Sequence, residues 1–130
     1  MVEFAHGYTY SAHPLACAAG LATLDLLERE DSPAQVRALA PYFEDAVHSL
    51  RSARHVTDIR NYGLAAGITL ASLPGEPARR PFEAAMHLWK QGFYVRYGAD
   101  TLQFAPSFIM KREQIDAVVN AIGEALAVTA

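Results

Sequence analysis

The stretch 14–29 restricts the fold more than any other part of this sequence, because it is apolar on nearly every side until Asp25. Pro14 suits the first turn of a helix, where its missing N–H needs no partner. The stretch therefore predicts a helix, and a helix that is apolar nearly all round is typical of a buried one. Its small residues between Ala16 and Gly20 would allow another backbone to approach closely.

The composition predicts a globular chain and excludes several classes of partner. Hydrophobic residues make up 52% of the 130 residues and charged residues 19%, which is enough for a real core. The net charge is −3 and the sequence has no basic stripe, which argues against binding to nucleic acid. No apolar run reaches the roughly 20 residues of a membrane span. One cysteine and no visible signal peptide predict a reducing cytoplasm.

The hydrophobic period changes along the chain, and these changes predict eight elements. Steps of three and four residues indicate helices, whereas alternation between turn residues indicates strands. In chain order we expect a helix over 14–29, a helix from 32 to about 50 with a kink at Pro41, strands at 56–62 and 66–71, a helix over about 82–90 closed by Gly92, strands at 93–97 and 101–105, and a helix over 112–127. This order predicts an α+β fold, in which an antiparallel sheet is backed by helices.

The loop before the first helix, residues 4–13, carries hydroxyl side chains, a glycine and two histidines. Hydroxyls and backbone N–H groups that converge at the start of a helix form an anion site. Thr9 lies between Tyr8 and Tyr10, and its hydroxyl with a neighbouring N–H group could hold a phosphate oxygen. From these residues alone, an ordinary turn hydroxyl is the favoured interpretation of Thr9.

Arg96 is the second candidate, because it interrupts an otherwise apolar and aromatic strand. A buried guanidinium without a partner is costly, so this position predicts a carboxylate nearby. Asp100 could supply it as a structural pair, or a substrate carboxylate could be bound through two hydrogen bonds. The residues leave both options equally open.

Gln103 on the next strand is polar among apolar neighbours, and the plainest interpretation is the exposed face of an edge strand.

The histidines and the cysteine do not predict a metal site or a nucleophile. His6 and His13 lie seven residues apart with no other ligand residue at metal-binding spacing, and the remaining histidines fall on three different elements. Cys17 lies within an alanine-rich helix, where a cysteine usually packs as a small hydrophobic residue. We therefore predict no metal ligand in this chain.

Three separated segments together resemble one family. Residues 4–20, 58–64 and 92–106 resemble the class III, or omega-type, aminotransferases, which depend on pyridoxal phosphate. Within this class they are most similar to the omega-amino acid–pyruvate, or β-alanine–pyruvate, transaminases. Ala12 fits that branch, whereas the wider class usually has glycine there. The three motifs occur in the order of the family, and the resemblance covers essentially all 130 residues.

The resemblance implies a role for each candidate residue. The threonine that matches Thr9 hydrogen-bonds the cofactor phosphate of the neighbouring subunit, because the site is built across a dimer interface, and Tyr8 matches an aromatic residue beside it. The arginine that matches Arg96 binds the carboxylate of the amino-acid or keto-acid substrate and swings away when the substrate lacks one. Gln103 matches a position near the cofactor. The partners implied are a homodimer subunit and small amino and keto acids.

The resemblance also implies what the chain lacks. In the family, the lysine that bonds the cofactor precedes the segment that matches Thr9, and neither Lys90 nor Lys111 stands in that lysine motif. We therefore predict no catalytic residue here, and we expect the C-terminal part of a transaminase that moves an amino group from β-alanine or another omega-amino donor to pyruvate. Residues 1–30 would end the large cofactor-binding domain with its connecting helix, and 31–130 would form the small domain.

Two further points stay open at this level. The chain could come from a truncated gene, a gene-model fragment or one piece of a longer protein, and on any of these readings we expect it to be inactive alone. A different class of function is a non-catalytic dimerisation module that pairs with a full-length transaminase.

Overall fold

A computed structural model of the chain describes residues 7–130 and confirms the predicted α+β fold. Within these residues the order is α1 (Pro14–Arg29), α2 (Ser32–His48), a 3₁₀ turn (Ser49–Ser52), β1 (Val56–Tyr62), β2 (Ala65–Leu70), α3 (Arg79–Lys90), β3 (Arg96–Gly98), β4 (Thr101–Phe104) and α4 (Arg112–Val128). Residues 1–6, which include His6 and the start of the predicted loop, lie outside the described residues.

The chain divides into two compact units, residues 1–33 and 34–130. The first contains α1, and the second contains the sheet, α3 and α4. The predicted boundary after residue 30 assigned the first part to a larger domain, and that assignment stays a prediction. No helix within residues 7–130 combines the length and the hydrophobicity needed to cross a membrane.

Helix α1 begins where the sequence predicts, but its environment differs. His13 is the N-cap and its Nδ1 accepts a hydrogen bond from the backbone N–H of Ala16 at 3.4 Å, with Pro14 in the first turn. No residue of α1 is buried, and Leu15 is 77% exposed and Leu21 64% exposed. The prediction of a buried helix is therefore wrong for this chain.

The four strands of the second unit form one antiparallel sheet in the order β1-β2-β4-β3. The first hairpin turns at Gly63, whose φ of +54° favours glycine, and the second turns at Ala99, whose φ is +49°. Both hairpins were predicted. The second begins later than expected, because β3 pairs only from Arg96 onward. Helix α2 continues through Pro41 to His48.

One face of the sheet builds the core with the helices. Ile68 and Leu102 are register partners on this face and are fully buried. The Phe43 ring of α2 lies with its centroid 5.3 Å from that of Phe104. Helix α4 contributes its predicted apolar stripe, in which the fully buried side chains are Ile115, Ile122 and Leu126. Because side chains alternate along each strand, the opposite face of the sheet remains available for polar residues.

A polar contact joins α2 to α4 at the edge of this core. The Tyr42 hydroxyl donates to the Asp116 carboxylate, with 2.6 Å to Oδ1 and 2.7 Å to Oδ2. The Arg112 guanidinium carbon lies 4.8 Å from the centroid of the Tyr42 ring, a cation–π contact. The hydrogen bond to Asp116 raises the pKa of Tyr42 above its ordinary value, since ionised tyrosine would lose the donated proton and face a carboxylate.

We expect Tyr42→Phe to lower the thermal unfolding midpoint at pH 7, because the variant keeps the ring and removes the hydrogen bond. A tyrosine whose pKa is raised on folding contributes stability below pH 10, its ordinary pKa, and that contribution is lost as the pH rises through the raised pKa. In circular dichroism melts from pH 7 to 11, the unfolding midpoints of the wild type and of Tyr42→Phe should therefore converge as the pH rises. Tyr62→Phe, at a tyrosine that is 92% exposed, is the matched control. Equal midpoints of wild type and Tyr42→Phe at pH 7 would contradict the prediction.

Candidate functional site

A row of four register partners crosses the outer face of the sheet, the face turned away from the core. Arg60 pairs with Gly67, Gly67 pairs with Gln103, and Gln103 pairs with Arg96. Register partners project from the same face of an antiparallel sheet. The fold therefore brings Arg96 and Gln103, two residues singled out from the sequence, directly opposite each other. It also places Arg60 at the far end of their row.

Arg96 lies on the edge strand β3, and its environment differs from the expectation. Its side chain is exposed, so the expectation that Arg96 is buried and therefore needs a partner is wrong. Within residues 7–130 the guanidinium forms no ion pair or hydrogen bond. The Asp100 pair, one of the two options that the sequence left open, is not formed, and an Asp100 carboxylate oxygen accepts a hydrogen bond from the Thr101 hydroxyl at 2.9 Å. Arg96 therefore has its donors available for a ligand carboxylate.

Gln103 is exposed, as expected, but it does not lie on an edge strand. β4 is hydrogen-bonded to β2 on one side and β3 on the other, so Gln103 occupies an interior position of the sheet. Its amide Nε2 lies 3.1 Å from the point that a Cβ on Gly98 would occupy. The missing side chain at Gly98 therefore gives the Gln103 amide room to extend across β3.

Arg96 lines two cavities with aromatic walls. One has a volume of about 270 Å³ and is lined by Met86, Trp89 and Tyr94. The other, of about 550 Å³, also includes Gln103 and Phe104. The Trp89 and Tyr94 rings meet edge to face, with 6.0 Å between their centroids. A free guanidinium beside apolar walls suits a small molecule that carries a carboxylate, because a guanidinium can form two hydrogen bonds to a carboxylate while the walls contact the rest of the molecule.

The loop of Tyr8 and Thr9 forms a tight turn in the first unit. The Tyr8 N–H donates to the Ser11 hydroxyl at 3.0 Å, and the Ser11 N–H donates to the Tyr8 carbonyl at 3.0 Å. Both Tyr8 and Thr9 are exposed. The Thr9 hydroxyl makes no hydrogen bond to any residue in the described range. The Thr9 hydroxyl could therefore donate one hydrogen bond to an anion such as a phosphate, but this turn alone does not enclose an anion.

Ala12 has a φ of +60°, in the left-handed region that favours glycine. A positive φ at this position explains why the wider class usually has glycine where this chain has Ala12. An alanine in this conformation carries strain of about 1–2 kcal/mol from its Cβ. The loop is thus held in its turn geometry despite an unfavourable residue.

We expect Ala12→Gly to stabilise the loop and the start of α1 by about 0.5–1 kcal/mol, since relief of the strain outweighs the extra entropy of glycine in the unfolded chain. Slower amide hydrogen exchange over the first turns of α1 would report this. Ala18→Gly, inside α1, is the control and should speed exchange, because glycine destabilises a helix interior by about 1 kcal/mol. Faster exchange in Ala12→Gly would count against the prediction.

The remaining sequence candidates do not form a second site. In the part of the chain that the structure describes, no three histidine, cysteine, aspartate or glutamate side chains cluster in a way that could hold a metal ion. Cys17 is exposed, which corrects the expectation that it packs as a small hydrophobic residue; its helix α1 has no buried position. Arg60 was not singled out from the sequence, because its place in the row with Arg96 depends on the strand register.

The free guanidinium of Arg96 beside aromatic cavities is the main feature of this small α+β unit. The particular family follows from the sequence: the chain belongs to the class-III aminotransferases, whose family model matches residues 1–126. It is 58% identical over 125 residues to the β-alanine–pyruvate aminotransferase of Pseudomonas aeruginosa and 56% identical to the omega-amino acid–pyruvate aminotransferase of Pseudomonas putida. Each match covers 96% of this chain and 28% of the relative, and the predicted resemblance is confirmed.

Solved structures show the same fold. The adenosylmethionine-8-amino-7-oxononanoate aminotransferase of Methanocaldococcus jannaschii matches with a TM-score of 0.86 at 26% identity, over 98% of this chain and 30% of that one. An (S)-enantioselective omega-transaminase from Thermomicrobium roseum matches with a TM-score of 0.84 at 27% identity, over 97% and 30%. The chain thus spans less than a third of the length of the proteins it resembles.

Proposed function

We propose that this chain is the C-terminal, substrate-binding part of an omega-transaminase that transfers an amino group from β-alanine or another omega-amino donor to pyruvate. The family membership and the two Pseudomonas relatives support the class of reaction. The observation that carries the proposal is Arg96, which is exposed and unpaired within residues 7–130 and lies directly opposite Gln103.

Arg96 would bind the carboxylate of the amino-acid or keto-acid substrate. A guanidinium presents two parallel N–H donors that match the two oxygens of a carboxylate, so binding fixes the orientation as well as the position of the substrate. The aromatic rings of Trp89 and Tyr94 beside Arg96 would contact the carbon chain of the substrate. The substrate's amino group would then lie at a constant distance from the sheet.

Thr9, Tyr8 and Gln103 would contact the cofactor. Pyridoxal phosphate supplies the electron-accepting ring that lets an amino group move between carbon skeletons. The unpaired Thr9 hydroxyl would donate to a phosphate oxygen of the cofactor held by a partner subunit, with Tyr8 beside it. The Gln103 amide, which extends across β3 at Gly98, would approach the cofactor from the sheet.

The proposal includes an assembly. Residues 1–30 would end the large domain and its connecting helix, and 31–130 would form the small domain of a cytoplasmic homodimer. The 130-residue chain would not turn over substrate alone, because Lys90 and Lys111 do not match the family's cofactor-bonding lysine.

A hybrid enzyme tests the role of Arg96. In the Pseudomonas aeruginosa relative, this chain would replace the matching 125 residues. We expect Arg96→Gln in the hybrid to raise the β-alanine concentration for half-maximal rate roughly 10- to 100-fold, because hydrogen bonds to a charged group are lost. The first half-reaction, before pyruvate is added, is the measurement, since pyruvate carries its own carboxylate. An amine donor without a carboxylate should react almost unchanged.

Two controls make the result specific. Arg37→Gln removes an exposed arginine on α2 and should leave both donors unaffected. The 130-residue chain, supplied with cofactor, β-alanine and pyruvate, should produce no alanine. An equal loss with both donors would contradict the carboxylate role, and steady alanine production that is abolished by Lys90→Ala or Lys111→Ala would contradict the proposed incompleteness.

The exposure of α1 favours a second candidate function, in which the chain is a non-catalytic module that pairs with a full-length transaminase. Leu15, Leu21 and Leu24 are largely exposed, and an apolar surface of this kind is typical of an interface. The unit would then offer Thr9 to the cofactor site of its partner.

We expect the isolated chain to associate or to be only marginally stable, because the exposed leucines of α1 gain from being covered. Sedimentation velocity over a concentration series would show species larger than the monomer, and Leu21→Asp with Leu24→Asp should shift them toward monomer. Leu15→Asp, near the start of α1, is a third substitution with the same expected effect. A wild-type chain that stays monomeric and unfolds cooperatively would contradict the expectation.

A further inference from the structure

A third cavity, which Arg96 does not line but which shares Gln103, Phe104 and Ala105 with the larger cavity beside Arg96, lies on the outer face of the sheet and has a volume of about 740 Å³. It extends over β1, β2 and β4 to the turn that joins β3 and β4. Its floor consists of residues with little or no side chain: Ala65, Gly67, Gly98 and Ala105. The depression therefore follows from the sequence, because larger residues at these outward-facing positions would fill it.

Arg60 lines one side of this cavity, and only the Nη1 group of its guanidinium forms hydrogen bonds within the described residues. Nη1 donates to the Asp58 carboxylate at 3.1 Å and to the Thr69 hydroxyl at 2.7 Å. Nε and Nη2 have no partner within residues 7–130. Nε lies 3.5 Å from the point that a Cβ on Gly67 would occupy, so the guanidinium extends over the floor of the cavity. The Nε and Nη2 edge is the side-on pair of donors that fits a carboxylate.

Asp100 lies at the opposite side, and a chain of hydroxyls connects it to Arg60. Thr69 and Thr101 are 3.1 Å apart between their hydroxyl oxygens, and Thr101 donates to Oδ1 of Asp100 at 2.9 Å. A guanidinium only donates and a carboxylate only accepts, so Thr69 must donate to Thr101. Three hydrogen bonds in one direction hold the two charged groups no more than roughly 9 Å apart. No other contact engages the second oxygen of the Asp100 carboxylate within the described range.

We propose that this cavity is a second amino-acid site that binds a zwitterion, with the carboxylate on the Nε and Nη2 edge of Arg60 and the ammonium on the free oxygen of Asp100. Gln103 lines both this cavity and one beside Arg96, and its amide provides a neutral hydrogen-bonding group between them. The site is distinct from the substrate position proposed at Arg96, and it takes the same class of small molecule.

The two charges of the site favour a zwitterion over a simple anion or cation. Asp58 already offsets part of the charge of Arg60, and Asp100 would repel a second carboxylate in the cavity. A simple amine would meet the opposite problem at Arg60. A molecule that carries both charges satisfies both groups at once, and a short omega-amino acid has its two charged ends separated by only a few bonds.

Nitrogen-15 NMR tests the proposal with β-alanine as the probe, on the 130-residue chain that carries Leu21→Asp and Leu24→Asp to keep it monomeric. Propionate and propylamine carry one charged end each and are the matched comparison ligands. We expect β-alanine to shift the side-chain Nε–H signal of Arg60 and the amide signal of Thr101 in a saturable manner, with a dissociation constant about five-fold lower than that of either comparison ligand. Equal binding of propionate, or no saturable shift with β-alanine, would overturn the zwitterion site.

Four variants locate the effect. Arg60→Gln and Asp100→Asn should each weaken β-alanine binding to the level of the comparison ligands, and Arg60→Lys should weaken it because the planar pair of donors is lost. Gly67→Ala adds a Cβ at ordinary contact distance, 3.4 Å from the Arg60 Cζ, so it should fold while it narrows the floor. Unchanged β-alanine binding in Arg60→Gln and Gly67→Ala would refute the proposed location.

Arg96→Gln separates this inference from the proposed function. It should leave the β-alanine shifts at Arg60 and Thr101 unchanged, since Arg96 does not line this cavity. If those shifts disappear in Arg96→Gln, the shifts report the substrate position rather than a second site, and the inference is wrong. If Arg96→Gln has no effect in the hybrid enzyme while Arg60→Gln abolishes the shifts here, the proposed function fails and the second site stands.

Discussion

The antiparallel register of the four-stranded sheet determines which side chains enter the core and which form the polar face. Because side chains alternate along each strand, one register places Ile68 and Leu102 toward the helices and Gly67 and Gln103 away from them. A shift of one residue would exchange the two faces and bury polar groups without partners. The core and the polar face are therefore two consequences of the same hydrogen-bond pattern.

Two arginines on the polar face keep hydrogen-bond donors without a partner in the described residues. Arg96 has no partner within residues 7–130, and Arg60 uses only its Nη1 group. An exposed guanidinium keeps its hydration and so tolerates a missing partner, whereas a buried one would not. Glycine at 67 and 98 keeps this face open beside the arginines. The face thus combines free cationic donors with space for a small molecule, which is the combination that a carboxylate site needs.

Local patterns predicted the elements well but predicted their surroundings poorly. The hairpin at Gly63 and the α4 stripe follow from turn chemistry and period, which are properties of neighbouring residues. The burial of α1 was predicted wrongly, because burial depends on tertiary packing, which the hydrophobic period of a single helix does not report. Gln103 was assigned to an edge strand, and the sheet order instead places it on an interior one.

The α+β fold, the family and the candidate residues Thr9, Arg96 and Gln103 could be predicted from the sequence, because motifs and hydrophobic periods are properties of neighbouring residues. The structure was needed to show that Arg96 does not pair with Asp100, that it lies opposite Gln103, and that Arg60 stands in the same row. These facts depend on strand order and register, which join residues distant in sequence through backbone hydrogen bonds that every residue type can form.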